Sequence, residues 1–342
     1  MTLCPTGRLA ALLLGVTGCT PSIDPSWLIT GPRELALDVE VIGQGPYGQP
    51  IIDTSRSSRD ALPLDTLSLR PIVIDTEGPI EPESLDGRWI LCSGLGNCLL
   101  RDRELDGPRC TGTSIQPAAP CIFDEGGPAT LTIPDVPPLL PEISTIFTLV
   151  SGPTVAYVAS PPEGPGLDAC IARFEARERL DGCLLMERAL GLGPLGELVE
   201  TLEAAGFDLG IDEGAESLLA RPRNRNPAVQ TLQVMYGTES VEVNAGARVV
   251  VPRDQEIRLT VQTTEEDLDA YEAMVGDQTV LFSDNLDAQW WFDQEVDRLD
   301  ELPNRIFTSF RAGTATGTVR VYVVVRDNLG GEGWGFVDLE LD

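Results

Sequence analysis

The segments GTVRVYVVVRD (317–327) and GWGFVDLELD (333–342) decide the fold class of this chain. Both are rich in Val, Tyr, Trp and Phe, which favour β-strands, and they are separated by a short stretch that contains Asn and two glycines. Strand-forming runs on either side of a Gly-containing turn are typical of a β-hairpin. The end of the chain is therefore predicted to form an antiparallel hairpin.

Seven further strand-like runs extend this pattern back to residue 227. They are short, regularly spaced and separated by turn residues, which is the pattern of a β-sandwich. Residues 227–342 are therefore predicted to form a C-terminal β-sandwich. The runs are AVQTLQVMY (228–236), VEVN (241–244), ARVVVP (247–252), EIRLTVQT (256–263), QTVLFS (278–283), AQWWFD (288–293) and RIFTSFRA (305–312).

A second strand-rich region over residues 34–160 predicts an N-terminal β-sandwich-like domain. Within it, residues 92–128 carry four cysteines and are too polar for core strands, so they are predicted to be a disulfide-stapled loop. The strand-like runs are ALDVEVI (36–42), DTLSLRPIVI (65–74), RWILC (88–92), ATLTIP (129–134), STIFTLV (144–150) and TVAYVAS (154–160).

Residues 161–226 change character and predict a helical insertion or linker. The segments LDACIARFEARERLDGCLLMERALG (167–191) and LGELVETLEAAG (195–206) carry apolar residues at helical spacing, with Gly and Pro at their ends. The chain is thus predicted to be mainly β, with two Ig-like β-sandwich domains and a helical, disulfide-stapled insertion between them.

The N-terminus has the parts of an export signal, predicted over residues 1–18. The stretch LLLGVTGCTPS (12–22) ends an apolar run in Gly-Cys, and the run is far too short to cross ~30 Å of hydrocarbon as a helix. Its end, Val16-Thr17-Gly18-Cys19, resembles the bacterial lipobox. The resemblance implies cleavage before Cys19, acyl lipid on its thiol, a tether over residues 19–33 and, with Thr at position 20, the outer membrane.

The remaining six cysteines predict disulfides rather than a metal site. The chain has no histidine and no C-x-x-C motif, so the usual zinc ligand sets are missing. An even number of cysteines suits an oxidising compartment. We expect Cys170 to pair with Cys183 and the first four to pair among themselves. The six candidates are Cys92, Cys98, Cys110, Cys121, Cys170 and Cys183.

Composition excludes several function classes. The 24 basic residues are all Arg, so the chain has neither a P-loop lysine nor a Schiff-base lysine, and without His it has no Ser-His-Asp triad. A formal charge of −30 repels phosphate backbones, so nucleic-acid binding is not expected. Solubility or salt adaptation explains such acidity, and binding of cations or basic partners is the alternative.

Few residues stand out as a ligand site, and none stands out as catalytic. Trp290 and Trp291 are adjacent, so on a strand they point to opposite faces, one into the core and the other towards a covering segment or a ligand platform. The acidic runs TEEDLD (264–269) and DQEVDRLDE (293–301) do not match a calcium-loop motif and predict solvated turns. No metal site and no cofactor besides the lipid is expected.

The hairpin VRVYVVVRDNLGGEGWGFVDLEL resembles the last hairpin of bacterial Ig-like and PKD-like domains. Together with the lipobox and the segment DPSWLITGPRELAL, it resembles uncharacterised lipoproteins of myxobacteria. This resemblance implies an envelope lipoprotein that is held to the membrane by its lipid. The tandem Ig-like sandwiches and the lack of catalytic motifs favour a non-enzymatic binding, adhesion or scaffold protein for an envelope or surface partner. The alternatives are a calcium- or glycan-binding module and, less favoured, a hydrolase that uses carboxylates or a metal.

Overall fold

The protein is described by a computed structural model, in which the predicted mainly-β class is confirmed. The described residues are 25–48, 50–51, 57–92, 107–110, 120–133, 154–204, 206, 223–262, 271–275, 278–282, 285–300, 306–327 and 330–342. The predicted strand 144–150 and the acidic run 264–269 lie outside these ranges. No helix within them is long and apolar enough to cross a membrane.

Two antiparallel sheets form the N-terminal sandwich. Its elements are β1 (Arg33–Gly43), β2 (Thr66–Ile74), β3 (Pro79–Ile80), a 3-10 turn (Pro82–Ser84), β4 (Asp86–Cys92), β5 (Cys121–Glu125), β6 (Ala129–Thr132), β7 (Thr154–Ser160), α1 (Leu167–Glu175), β8 (Leu184–Ala189) and α2 (Leu195–Ala204). In one sheet, β2 pairs with β1 on one side and with β3 and β6 on the other. The second sheet has the order β5-β4-β7-β8.

The N-terminal core lies between these sheets, where alternate residues of β2 and β4 point inward. Leu67 and Leu69 are fully buried on one side, and Trp89 on the other stacks on Tyr157 with ring centroids 4.3 Å apart. The indole N–H of Trp89 donates to the carbonyl of Gly127 at 2.9 Å, so burial leaves this polar group satisfied.

Helix α1 covers the outer face of the β5-β4-β7-β8 sheet. Ile171 and Phe174 of α1 pack on Ile90 of β4 and on Ala156 and Val158 of β7. All seven residues of β7 are buried, because the core covers one face of this strand and α1 covers the other. This explains its continuous apolar sequence, which lacks the usual alternation.

Two sequence predictions for this region need correction. The helical segment predicted over 167–191 stops at Glu175, and Leu184–Ala189 instead forms β8 on the edge of β7. Arg177 adopts a positive φ angle of 60° two residues after the last helical residue, which ends the helix. Burial of Leu184 and Met186 then follows strand periodicity. Residues 161–192 therefore belong to the N-terminal sandwich, across the boundary predicted at residue 160.

The second correction concerns the loop predicted over 92–128. Cys121–Glu125, at its end, forms β5 and pairs with β4, with Cys121 and Ile122 buried. Pairing with an existing strand edge and burial of two side chains outweigh the polar composition of the surrounding segment.

The C-terminal sandwich also consists of two sheets, of order β10-β9-β12-β17-β16 and β11-β19-β18-β15, with a separate β13-β14 hairpin. All pairs are antiparallel except β11 with β19. All predicted strands of 227–342 are present, and β13 and β16 are additional. The strands are β9 (Thr231–Tyr236), β10 (Glu239–Asn244), β11 (Arg248–Val251), β12 (Ile257–Val261), β13 (Tyr271–Val275), β14 (Gln278–Phe282), β15 (Asp287–Phe292), β16 (Asp297–Arg298), β17 (Phe307–Arg311), β18 (Thr318–Arg326) and β19 (Glu332–Leu341).

The outer faces of the two sandwiches pack against each other. Leu35 and Ala36 of β1 and Ile72 and Ile74 of β2 meet aromatic and apolar residues of β15, β18 and β19, namely Trp291, Tyr322, Val324, Trp334 and Phe336. This contact explains why β18 is buried on both faces and reads as a run of valines. The molecule is thus a stack of sheets in which β1, β2, β15, β18 and β19 contribute buried or partly buried residues to the contact between the sandwiches.

Candidate ligand site at the domain junction

Glu332 at the start of β19 is the hub of the contact between the sandwiches. Its side chain is 2% exposed. Oε2 accepts the backbone N–H of Leu37 at 2.8 Å, and Oε1 accepts Nε–H of Arg188 at 2.9 Å and Nε–H of Arg326 at 2.5 Å. One buried carboxylate therefore joins β1 and β8 of the first sandwich to β18 and β19 of the second.

The two arginines differ in how far the protein occupies them. Arg326 also donates Nη1–H to Oε1 of Gln289 at 2.7 Å and Nη2–H to the carbonyl of Leu35 at 2.8 Å, so it is held on three sides. Arg188 donates Nη1–H to the carbonyl of Glu187 at 2.8 Å, and its Nη2 has no acceptor among the described residues. Within the described part of the chain, Arg188 therefore keeps N–H donors that no protein acceptor uses.

A cavity of about 540 Å³ opens beside this hub, between β1 and β8 on one side and β15 and β18 on the other. A volume in this range is typical of small-molecule sites. Arg33 lines it and donates to the carbonyl of Ser26. The described lining residues are Ser26, Pro32, Arg33, Glu34, Leu35, Leu185, Met186, Arg188, Gln289, Trp291 and Arg326.

The cavity is positively charged in a protein of net charge −30. Three guanidiniums line it, and Glu332 beneath it compensates one of them. Desolvation raises the pKa of Glu34 above its ordinary value, although part of this side chain reaches solvent, and Arg33 and Arg188 oppose the rise. At least one positive charge thus stays uncompensated, which favours an anion here.

The segment before β1 closes one side of the cavity and docks on the C-terminal sandwich. The N–H of Ile29 donates to the carbonyl of Phe292 at 2.9 Å, and the N–H of Phe292 donates to the carbonyl of Trp27 at 3.0 Å. The rings of Trp27 and Phe292 meet edge to face at 5.5 Å. The tether predicted over 19–33 is therefore folded structure from Trp27 onward.

Trp290 and Trp291 do point to opposite faces of β15. Trp290, 5% exposed, packs in the C-terminal core, and Trp291, 9% exposed, packs against the N-terminal sandwich. Both rings line a smaller cavity of about 220 Å³ next to Trp27 and Arg298. Neither ring forms an open platform, and Trp291 also lines the junction cavity.

The described end of the linker, residues 223–226, runs through the junction. Nδ2 of Asn226 donates to the carbonyl of Val39 and to Oγ of Ser57, each at 2.8 Å, while its Oδ1 accepts the N–H of Glu332 at 3.2 Å. Nearby, Arg59 is 3% exposed and donates Nη2–H to the carbonyl of Ala189. Its buried cation adds to the positive charge around Glu332, and desolvation lowers its pKa against the pull of that carboxylate.

Asp38 introduces a pH dependence at the same junction. It lies on the face of β1 that meets the second sandwich, and desolvation, reinforced by Glu40 and Glu332, raises its pKa to about 6 against the pull of Arg70. The folded state then binds more protons than the unfolded state between about pH 4 and pH 6. The free energy of unfolding therefore falls as pH rises through this window.

We predict that Asp38→Asn removes this penalty. The free energy of unfolding of the variant should match that of the wild type near pH 4 and exceed it by about 1–2 kcal/mol above pH 6.5. This difference is smaller than the full pKa shift implies, because Asp38 is partly exposed to solvent. Urea unfolding at several pH values measures this difference. Asp254→Asn, an equal charge change at an exposed turn, should show no such trend; parallel pH profiles for both variants contradict the assignment.

The cysteines form local bridges. Cys170 is bonded to Cys183, the pairing that the sequence analysis favours, and Cys110 is bonded to Cys121 within the first group. Cys92 is disulfide-bonded as well. Cys19 and Cys98 lie outside the described residues. Cys170–Cys183 joins α1, which covers the β5-β4-β7-β8 sheet, to the segment before β8, and Cys110–Cys121 joins β5 to the segment paired at its edge.

We expect loss of the Cys170–Cys183 bridge to destabilise the N-terminal sandwich by ~2–3 kcal/mol, because the bridge restrains a short loop in the unfolded chain. The double variant Cys170→Ser/Cys183→Ser tests this by hydrogen exchange. Protection should fall in α1 and β8 and stay unchanged in residues 228–262 and 306–327, which contain no cysteine. Equal loss in both sandwiches would refute the prediction.

The acidic run 293–301 has structural partners. Asp293 accepts the N–H of Arg320 at 2.9 Å, and Asp300 accepts Nη2–H of Arg298 at 2.7 Å and Oγ1–H of Thr308 at 3.2 Å. Among the residues that the structure describes, no three acidic or Cys side chains come together in a way that could hold a metal ion.

Sequence reasoning did not identify the junction residues. Arg33 and Arg188 lie far from Arg326 and Glu332 in the chain, and the four residues match no motif. The one available signal is that Arg is the sole cation in a strongly acidic chain, so any cluster of arginines is conspicuous once the fold brings it together.

No protein-family model and no curated protein matches the chain. A nucleoside hydrolase-related hypothetical protein from Saccharophagus degradans is similar at 11% identity and a TM-score of 0.23, over 51% of this chain and 38% of that chain. The fibronectin(III)-like modules of CbhA from Clostridium thermocellum are similar at 8% identity and a TM-score of 0.19, over 85% of this chain and 92% of that chain. Dimeric latent PorU from Porphyromonas gingivalis is similar at 10% identity and a TM-score of 0.20, over 92% of this chain and 24% of that chain. The chain spans under two fifths of the first of these, and such low scores assign neither family nor function.

Proposed function

We propose that the protein is a lipid-anchored, non-enzymatic binding protein of the bacterial outer membrane, with the junction cavity as its ligand site and the lipid on Cys19. The observation that carries the proposal is the position of the cavity. It lies between two sandwiches that share a buried carboxylate and an apolar interface, and it is lined by Ser26 from the segment that leads to the proposed anchor.

The docked N-terminal segment supports the lipid-anchor part of the proposal. Pro25 is six residues from Cys19. A fully extended chain of that length spans at most about 20 Å. A lipid on Cys19 would therefore hold the cavity close to the membrane surface, where envelope ligands and partner proteins are concentrated.

The chemistry of the cavity supports binding rather than catalysis. Its charged lining is dominated by guanidiniums, which stay protonated and position anions but do not transfer protons. The carboxylate of Glu332 already accepts three hydrogen bonds and is buried beneath the cavity. Such a lining holds a ligand by charge and hydrogen bonds.

Metabolic labelling with palmitate tests the anchor. We expect label on the wild type, loss of label in Cys19→Ala, and full label in Cys4→Ala, a matched change within the predicted signal. Globomycin, which blocks the lipoprotein signal peptidase, should cause the precursor to accumulate. Label that persists in Cys19→Ala, or processing that is insensitive to globomycin, would reject a lipid anchor at this position.

A further inference from the structure

We infer that the junction cavity binds a sugar acid, a hydroxylated ring that carries one carboxylate. The inference rests on the proposed binding function and names its ligand class. It follows from three properties of the cavity, which are its charge, its unused hydrogen-bond donors and the mixture of groups on its walls.

The charge of the cavity favours an anion. Glu332 compensates one of the three lining guanidiniums, and Glu34 at the rim compensates at most one more. At least one positive charge is therefore left for a ligand, and a carboxylate can balance it.

The unused donors fit a carboxylate. Arg326 is held by three acceptors and serves to position the others. Arg33 and Arg188 each keep an Nη group without an acceptor in the described parts of the chain. Guanidinium groups bind carboxylates through paired N–H donors, so these two residues are the carboxylate-binding residues.

The walls fit a hydroxylated ring rather than a bare carboxylate. Ser26 and Glu34 offer hydroxyl and carboxylate groups, which pair with sugar hydroxyls. Trp291 and Met186 contribute apolar edges against which the C–H face of a ring can pack. A cavity of about 540 Å³ also exceeds the space that an acetate-sized anion fills.

Isothermal titration of the mature chain with sodium glucuronate and sodium galacturonate tests the inference. We expect saturable one-to-one binding of at least one uronate, at least tenfold weaker binding of acetate, and no detectable binding of glucose or galactose. Added salt should weaken uronate binding, since the carboxylate contacts are charged. Equal binding of the neutral sugars overturns the charge argument, equal binding of acetate overturns the ring argument, and no uronate binding overturns the inference.

Two variants locate the binding. Arg33→Gln leaves the Glu332 hydrogen bonds intact and should weaken uronate binding at least tenfold. Arg188→Lys keeps the charge but loses the planar fork and should also weaken it. Arg248→Gln on the exposed edge of β11 is the matched control and should bind as the wild type does. Unchanged binding in both cavity variants overturns the site, whereas palmitate labelling of Cys19 is independent of all these results.

Discussion

Replacing Glu332 with Ala is expected to destabilise the contact between the two sandwiches by about 2–4 kcal/mol, because the change removes the buried acceptor of two ion pairs. The variant leaves two arginine cations and the N–H of Leu37 without their common acceptor. The buried N–H of Leu37 keeps the whole cost of its desolvation, whereas the arginine side chains, 31% and 25% exposed, keep part of it. The loss therefore falls on the junction rather than on either core.

Calorimetric unfolding distinguishes this local loss from general destabilisation. Glu332→Ala should unfold in two separate transitions, one for each sandwich, and should lose hydrogen-exchange protection at the amide of Leu37. Glu340→Ala, an exposed change on the same strand β19, should behave as the wild type. Glu332→Gln keeps a hydrogen-bond acceptor of the same shape, so the stability of its junction should lie between those of Glu332→Ala and Glu340→Ala. If Glu332→Ala instead unfolds in a single transition, with a free energy of unfolding within about 1 kcal/mol of the wild type, the role assigned to Glu332 is contradicted.

The strands that the sequence predicts are those whose burial shows as a local pattern. Val319, Val321, Val323 and Val325 all face the C-terminal core, with at most 1% exposure, and the run of strand-forming residues that contains them predicts β18. Leu67 and Leu69 of β2 likewise face the N-terminal core and are fully buried, so the apolar pattern of the sequence predicts this strand. In these segments, local propensity and final burial agree, which is why the fold class could be predicted.

The mistakes fall where a distant partner decides the structure. The segment 184–189 has apolar residues that suit a helix or a strand, and it becomes a strand because β7 offers an open edge. The segment 121–125 is short and half polar, and it is a strand because β4 lies beside it. Sequence patterns describe one element at a time, so they do not reveal which edges remain unpaired.

The candidate site could not be predicted for the same reason. Glu332 is one of 54 acidic residues, and nothing in the local sequence GGEGW shows that it will meet Arg188, 144 positions earlier. Lipidation of Cys19, in contrast, is a property of a contiguous motif. The sequence therefore favours a cellular location for the protein, whereas only the fold indicates where a ligand would bind.

Asp65 is a second buried carboxylate with no sequence signal, and its loss is predicted to unfold the N-terminal sandwich selectively. It is fully buried. Its oxygens accept the N–H of Gly45 at 2.7 Å, the N–H of Leu62 at 2.9 Å and Nη1–H of Arg223, itself 10% exposed, at 3.2 Å. Asp65→Ala removes all three contacts and leaves a buried cation, so we expect a cost of about 3–5 kcal/mol.

Asp75→Ala provides the matched control. Asp75 also accepts two backbone N–H groups in a tight turn, those of Glu77 at 2.8 Å and Gly78 at 3.0 Å, but the contacts described for it include no buried cation. Its loss should cost about 0.5–1.5 kcal/mol.

Removing Arg223 as well should restore part of the stability lost in Asp65→Ala. It should not restore all of it, because Glu197 also contacts Arg223 at 3.4 Å. Urea unfolding of the wild type and these three variants measures the differences, and equal costs for Asp65→Ala and Asp75→Ala would show that the buried cation contributes nothing.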